Sequence, residues 1–189
     1  MKSVVSCENL LVIKNSKFIT LIYPLQKKED IDQYLEQAKE KYPNATHYCY
    51  AYIFDQIRKE SDDGEPAGTA GIPILQVLEK NELNHVLCIV VRYFGKIKLG
   101  AGGLVRAYTK SATLCLKDHI VFLDKGLEVT ITFPYSLEKE IDYLLKQEVI
   151  ISKKYSMMIE YQVYLHRDCL ENLQHHSGVT IQIHQDIYF

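Results

Sequence analysis

Several features that would assign this sequence to a membrane or a secretory route are missing. No apolar run approaches the roughly 20 residues that a membrane-spanning helix needs, because charged residues, proline or asparagine interrupt every apolar stretch. Residues 1–18 lack the apolar core and the small-residue cleavage site of a secretory signal. The sequence therefore predicts a protein that has no membrane partner.

Paired cysteines are missing as well. None of the five cysteines belongs to a Cys-x-x-Cys pair, and they lie far apart in the chain: Cys7, Cys49, Cys88, Cys115 and Cys169. An odd and scattered set of this kind is typical of reduced thiols rather than of a disulfide framework. Together with the missing secretory signal, this pattern predicts a cytoplasmic protein.

Acidic residues are missing from one long stretch. Residues 83–117 contain no aspartate or glutamate, but they contain Arg92, Lys96, Lys98, Arg106, Lys110 and Lys117. The formal net charge of the chain is only −2, so the molecule as a whole does not attract polyanions. The basic stretch instead creates a local positive field in a nearly neutral protein.

Apolar periodicity in the first two thirds of the chain predicts three helices and two strands. The helices fall near residues 28–42, 72–81 and 104–119, and the strands fall near 48–54 and 85–94. The second strand is apolar throughout, which is typical of a strand buried on both faces. Residues 55–71 are polar and rich in glycine and proline, which predicts a surface loop. We expect residues 56–67 of that loop to be mobile, because Ile57 is their only apolar anchor.

The pattern changes after Val121. Apolar spacing there predicts a strand, a helix, two strands, a helix and a strand, which is the split βαβ order of ferredoxin-like domains. The predicted elements are residues 127–133, 136–148, 149–155, 157–165, 167–176 and 179–187. The outward face of this sheet lacks the aromatic pattern of an RNA-binding sheet. The sequence thus predicts an α+β protein of two domains, residues 1–123 and residues 124–189.

A glycine-rich corner between the apolar strand and the third helix is the first candidate site. Backbone N–H groups at a helix N-terminus attract anions, and basic side chains add charge-assisted hydrogen bonds to phosphate. The residues of this candidate anion site are Arg92, Gly95, Lys96, Lys98, Gly100, Gly102, Gly103 and Arg106. The spacing matches neither a P-loop nor a dinucleotide fingerprint. The alternative, that these glycines only permit a tight turn, therefore stays open.

Arg106 is the member of this corner that we single out. It falls in the first turn of the third helix, where the positive end of the helix dipole disfavours a cation. We expect its side chain to point toward the acidic segment 61–66, where it either pairs with an acid or shares a bound anion.

Two further motifs supply residues for a candidate pocket. The segment SDDGEPAGTAG contains hard oxygen donors, and His47 and Cys49 share one face of a predicted strand. The candidate pocket residues are His47, Cys49, Ser61, Asp62, Asp63, Glu65 and Thr69. Acidic residues do not recur in the register of an EF-hand, and turn formation explains the segment as well as ligand binding does. No metal ligand, catalytic residue or cofactor is therefore assigned.

Four motifs occur in order along the first domain. They are THYCYAY (46–52), SDDGEPAGTAGIPIL (61–75), VVRYFG (90–95) and LGAGGLVRAY (99–108), and KNSKFI (14–19) precedes them. With these motifs the sequence resembles the YigZ/IMPACT family, from which it departs at Lys96, where the family usually has a second glycine. The resemblance implies a first domain like the second domain of a small-subunit ribosomal protein. It implies a second domain like the ferredoxin-type domains of elongation factor G.

The resemblance also implies a connection with translation. Eukaryotic members of the family modulate translation initiation through protein contacts in a kinase pathway, and bacterial members are discussed as nucleic-acid- or ribosome-associated. We therefore expect a non-enzymatic regulatory protein that binds RNA phosphate, the ribosome or a phosphorylated ligand at the basic corner, without reading a DNA sequence. Two alternatives remain open. One is a metal-assisted enzyme in which Asp62, Asp63 and Glu65 face Arg92 and Arg106 across one pocket, and the other is a protein-interaction module.

Overall fold

The computed structural model describes residues 1–189 and divides the chain into two units. Unit 2 comprises residues 2–122, and unit 1 comprises Met1 with residues 123–189. Both units combine helices with antiparallel sheets, which confirms the predicted α+β class. None of the helices has the length and apolar character needed to cross a bilayer.

Unit 2 contains seven strands and three helices. In chain order they are β1 (Lys2–Val4), β2 (Cys7–Ile13), β3 (Ser16–Pro24), α1 (Asp30–Lys41), β4 (His47–Phe54), β5 (Ile57–Ser61), α2 (Gly71–Lys80), β6 (Val86–Tyr93), α3 (Ala101–Leu116) and β7 (Ile120–Phe122). The helices and strands predicted from apolar spacing are confirmed, with ends that differ by up to three residues. The strands β1 to β3 were not predicted.

The apolar strand β6 lies at the centre of a five-stranded sheet with the order β2-β3-β6-β4-β5. All its residues except Tyr93 are buried, which confirms the prediction of a strand covered on both faces. Helix α1 packs on one face of the sheet, and α2 and α3 pack on the other. A separate two-stranded ladder joins β1 to β7.

The predicted surface loop over residues 55–71 is wrong in its first part. Residues Ile57–Ser61 form β5, which pairs with β4 at the edge of the sheet. An edge strand whose side chains are largely exposed has the polar composition of a loop, so apolar spacing did not reveal it. The rest of the segment is held by side-chain hydrogen bonds of Asp62 and Glu65. These hydrogen bonds anchor the segment, whereas the expected mobility of residues 56–67 stays a prediction.

Unit 1 is a four-stranded antiparallel sheet with two helices. Its elements are β8 (Lys125–Phe133), α4 (Glu138–Leu144), β9 (Val149–Tyr155), β10 (Ile159–Leu165), α5 (Arg167–Gln174) and β11 (Thr180–Tyr188). The sheet order is β11-β8-β10-β9, and the chain order is the predicted split βαβ order. Alternate residues of β8 and β10, among them Phe133 and Tyr161, form the core with α4 and α5. Helix α4 ends at Leu144, earlier than predicted.

Candidate functional site

A cleft of about 390 Å³ opens at one end of the five-stranded sheet of unit 2. Four parts of the chain line it: the start of β4, the turn that follows Asp63, the end of β6, and the N-terminus of α3. Its walls are largely apolar, with Pro66, Phe94 and Leu99 among them, and Lys98 and His47 add polar groups. The structure thus brings residues of both predicted groups to one place.

The register of the sheet places Arg92 at the base of this cleft. Arg92 on β6 lies opposite Phe18 of β3 on one side and opposite His47 of β4 on the other. Its guanidinium carbon lies 5.4 Å from the ring centre of Phe18 and 5.5 Å from that of Phe94, within the range of a cation–π contact. Only 4% of its surface is exposed, so this arginine is part of the core as well as of the cleft.

A buried ion pair neutralises Arg92. Its Nη1 donates a hydrogen bond to Oε1 of Glu65, and the hydroxyl of Tyr108 donates to the same oxygen at 2.7 Å. Glu65 is 7% exposed, and a buried charge pair of this kind is stable only when hydrogen bonds satisfy its remaining atoms. The Nε atom of Arg92 is buried without a hydrogen-bond partner. Arg92 therefore adds no net charge to the cleft, but it keeps one donor free.

Cys49 and Tyr108 extend the network as donors. The thiol of Cys49 donates to the hydroxyl of Tyr108 at 3.3 Å and to the carbonyl oxygen of Asp62 at 3.0 Å. Burial raises the pKa of Cys49 to about 12, and the nearby charge of Glu65 adds to this rise. Burial likewise raises the pKa of Tyr108 far above its usual value. Both groups stay protonated at neutral pH, so Cys49 is not an activated nucleophile.

His47 has one ring nitrogen engaged and one directed toward Glu65. Its Nδ1 lies 2.7 Å from the carbonyl oxygen of Asp63, to which it donates. Its Nε2 lies 3.8 Å from Oε2 of Glu65. The ring is thus fixed in orientation at the wall of the cleft.

Asp62 caps helix α2 from a distance along the chain. Its carboxylate accepts hydrogen bonds from the backbone N–H groups of Gly68 at 2.7 Å, Ala70 at 2.9 Å and Gly71 at 2.8 Å. Partial burial raises the pKa of this carboxyl, but the three backbone hydrogen bonds outweigh burial and lower the pKa below its usual value. The carboxylate therefore satisfies the positive end of α2 internally.

The other members of the acidic segment also stabilise its turns. The carboxylate of Asp63 accepts the N–H of Tyr48 at 2.5 Å. Ser61 accepts the N–H of Asp63 at 3.2 Å, and the hydroxyl of Thr69 donates to the carbonyl of Pro66 at 2.6 Å. Of the three carboxylates, only Glu65 meets Arg92, and no three His, Cys, Asp or Glu side chains come close enough to hold a metal ion. The donor set does not fit the metal-assisted pocket considered from sequence.

The N-terminus of α3 differs, because no side chain caps it. Gly100 precedes the helix with φ +73° and ψ 164°, a conformation that essentially only glycine adopts. The backbone N–H groups of Ala101, Gly102 and Gly103 have no partner within the helix, and the first turn contains no acidic residue. Gly100 and Ala101 line the cleft beside Lys98. The positive end of a 16-residue helix is therefore open to the cleft.

Three predicted members of the anion site lie elsewhere or serve the fold. A Cβ on Gly95 would lie 2.1 Å from the backbone carbon of Asn15, so this glycine permits a close backbone approach. Lys96 is exposed with φ +64° and is not among the residues that line the cleft. Arg106 is exposed and forms no ion pair with the acidic segment, so the pairing expected as one alternative does not occur. The arginine that pairs with the acidic segment is Arg92, because the register of β6 in the sheet places it beside Glu65.

The open face of the sheet in unit 1 carries a hydrogen-bonded polar network. Glu128 accepts hydrogen bonds from Gln162 at 2.9 Å and from Gln185 at 2.7 Å, and Thr130 is 2.7 Å from His184. These groups satisfy one another. Tyr164 of β10 lies on the same face, opposite Glu128, and its ring centre is 5.9 Å from that of Phe189. That RNA does not stack on this face stays a prediction.

Comparison with known sequences identifies the first domain type. The profile of the Impact N-terminal domain matches residues 14–116. The chain is 38% identical over 165 residues to IMPACT family member YvyE of Bacillus subtilis, an alignment that covers 84% of this chain and 76% of that protein. It is 42% identical over 101 residues to IMPACT family member YigZ of Escherichia coli, which covers 51% of this chain and 50% of that protein. The second alignment thus spans about half the length of its relative.

A solved structure matches nearly the whole chain. This crystal structure, described as that of a hypothetical protein, superposes with a TM-score of 0.65 and 29% sequence identity, and the match covers 96% of this chain and 95% of the other. The similarity therefore includes both units and not only the domain with the four motifs. The matched profile spans more than half of the residues, and the chain belongs to the IMPACT family.

Proposed function

We propose that this protein acts on the translation apparatus by binding RNA, and that it holds an RNA phosphate at the N-terminus of α3. The observation that carries the proposal is the contrast within one cleft. The acidic groups nearby are engaged by Arg92 and by the backbone, whereas the three N–H groups that begin α3 have no side-chain cap and no acidic residue in their own turn. Membership of the IMPACT family supports the connection with translation.

The charges of the cleft favour an anion. Glu65 cancels Arg92, so the attraction comes from Lys98 and from the helix end, which acts as about half a positive charge. The backbone N–H groups then donate directional hydrogen bonds to the oxygens of a phosphate. Arg92, at the base of the cleft, also has a buried Nε atom without a hydrogen-bond partner.

The apolar walls favour an RNA strand whose bases are unpaired. Phe94 lines the cleft and is 43% exposed, so its ring offers a stacking surface for a base. Such stacking contributes about 1–3 kcal/mol per base and tolerates many sequences. Bases are accessible in this way only in single-stranded loops and ends.

A filter-binding titration with a labelled single-stranded fragment of ribosomal RNA tests the proposal. We expect binding that weakens as salt rises from about 50 to 200 mM, because each phosphate contact adds about −0.7 to the slope of log K against log salt. Replacing Lys98 by glutamine should weaken binding about fivefold to tenfold and flatten that slope. Lys59→Gln is the matched control, since Lys59 is an exposed lysine of β5 outside the cleft.

Two results contradict the proposal. One is the absence of binding at low salt, and the other is an equal effect of Lys98→Gln and Lys59→Gln. A protein-interaction role would instead predict that both variants still bind a protein partner and that this binding survives nuclease treatment.

A further inference from the structure

Two cysteines that are far apart in the sequence meet in unit 2. Cys7 belongs to β2 and Cys115 to the last turn of α3. Their Sγ atoms are 3.4 Å apart, and both thiols are free. We propose that a hydroperoxide oxidises Cys7 and that Cys115 then closes a reversible disulfide, which fastens the edge strand β2 to α3.

The fold brings Cys7 close to Cys115 and keeps it apart from Cys88. Cys7 lies opposite Ile22 of β3, and Ile22 lies opposite Cys88 of β6, so a whole strand separates Cys7 from Cys88. Helix α3 packs over this face of the sheet and supplies Cys115. A disulfide has a length of about 2.05 Å, so the two sulfur atoms need to approach by about 1.4 Å. Rotation of the two side chains provides a movement of that size.

The two thiols differ in reactivity. The hydrogen bond with Cys115 lowers the pKa of Cys7 to about 7, although partial burial opposes this, and the charge of His119 assists it. The hydrogen bond with Cys7 and burial raise the pKa of Cys115. Cys7 is half-buried, whereas Cys115 is 2% exposed. A partly exposed thiol of low pKa beside a second thiol is the arrangement found in redox-sensing pairs.

The chemistry proceeds in two steps. The thiolate of Cys7 attacks one oxygen of the hydroperoxide, an S–O bond forms, the O–O bond breaks, and the leaving oxyanion takes up a proton. The thiol of Cys115 then attacks the sulfur of this sulfenic acid while its proton passes to the departing hydroxide, so that the S–S bond forms and water leaves. The peroxide is reduced by two electrons to an alcohol or water, and the two thiols are oxidised.

The bond would close a loop of more than 100 residues within unit 2. A cross-link across such a loop restricts the unfolded chain. Neither cysteine lines the cleft, which lies at the other end of α3. Formation of the disulfide does not require RNA binding, so the two proposals are tested independently.

The test treats the purified full chain with hydrogen peroxide and measures intact mass, free thiols and non-reducing peptide maps. We expect a loss of about 2 Da, a peptide that links Cys7 to Cys115, and recovery with dithiothreitol. The thermal midpoint should rise by roughly 10 °C on oxidation. Cys7→Ser and Cys115→Ser should each abolish the mass loss, the linking peptide and the rise in thermal midpoint, whereas Cys169→Ser, in the other unit, should keep them.

Other products would overturn the inference. They are a gain of about 32 Da at Cys7 with Cys115 still reduced, a link from Cys7 to Cys88, and a dimer of two chains through Cys7. If Cys115→Ser fails to fold, the Cys7→Ser variant alone decides, because the half-buried site of Cys7 tolerates a serine hydroxyl better than the buried site of Cys115 does.

Discussion

The backbone N–H groups that begin two helices of unit 2 are treated differently by the rest of the chain. Helix α2 follows a turn in which Asp62 accepts hydrogen bonds from Gly68, Ala70 and Gly71. Helix α3 follows Gly100 and has no acid in its first turn and no side-chain cap. A helix end that lacks an internal partner needs water or a ligand. The comparison therefore separates a structural helix start, α2, from a helix start available for binding, α3.

The largest effect is expected for Glu65, which keeps the positive charge of Arg92 out of the α3 cleft. Glu65→Ala leaves that charge buried without its partner, so the free energy of unfolding should fall by about 3–5 kcal/mol. Urea denaturation measures the loss. The double variant Glu65→Leu/Arg92→Met removes both charges and should recover most of it. A loss below about 1 kcal/mol in Glu65→Ala would show that the pair is not buried as described.

Asp62 is the second test, because its removal makes α2 resemble α3. Asp62→Ala should lower the free energy of unfolding by about 2–3 kcal/mol, since three hydrogen bonds to a carboxylate are lost. Asp63→Ala, which loses one backbone hydrogen bond, is the matched control and should cost about 1 kcal/mol. Equal losses in the two variants would contradict the special role of Asp62.

The same carboxylate predicts a pH dependence. The pKa of Asp62 is lowered in the folded protein, so its contribution is complete above the unfolded value of about 3.9 and is lost as pH falls through the folded pKa. Thermal midpoints from about pH 6 to pH 2.5 should therefore fall more steeply in the wild type than in Asp62→Asn. Parallel curves would show that the backbone hydrogen bonds do not favour the ionised form.

Ala101 provides the converse change, in which α3 acquires an acid like that of α2. Ala101→Glu places a carboxylate in the first turn, so stability should rise by about 0.3–1 kcal/mol while RNA binding falls about tenfold. Thr109→Glu adds the same charge in the middle of the helix and should change neither quantity by as much. Unchanged RNA binding in Ala101→Glu would remove α3 from the proposed site.

Lys96 gives the smallest expected effect. Its φ of +64° is unfavourable for a residue with a Cβ, so Lys96→Gly should change stability by less than about 1 kcal/mol and in the stabilising direction. Because Lys96 does not line the cleft, RNA affinity should fall less than in Lys98→Gln. A larger fall would extend the site beyond α3.

Much of the fold was accessible from the sequence, because local apolar spacing determines it. The central strand β6, helix α3 and the split βαβ order are predicted in this way, although α3 begins at Ala101 and not at Leu104. The pairing partners were not, because sheet register depends on contacts between distant segments. For this reason Arg106 was singled out, although Arg92 is the arginine that meets Glu65.

Other parts of the candidate site had no local signal. The donation from the hydroxyl of Tyr108 to Glu65 depends on the packing of α3 against the loop and has no signature in the local sequence. Cys7 and Cys115 lie at opposite ends of unit 2 in the sequence, and only the packing of α3 on the sheet brings them together. The edge strand β5 has the composition of a loop, because its exposed side chains show no apolar alternation.

The ladder between β1 and β7 has a consequence for synthesis on the ribosome. Lys2 pairs with Phe122, and Val4 pairs with Ile120, so the first strand of unit 2 completes this ladder only after the last strand of the unit has been made. At about 5–20 residues per second this delay is on the order of ten seconds. The strands β2 to β6 can pair during that interval, whereas a nascent chain that stops before Ile120 leaves β1 without its partner and open to other strand edges.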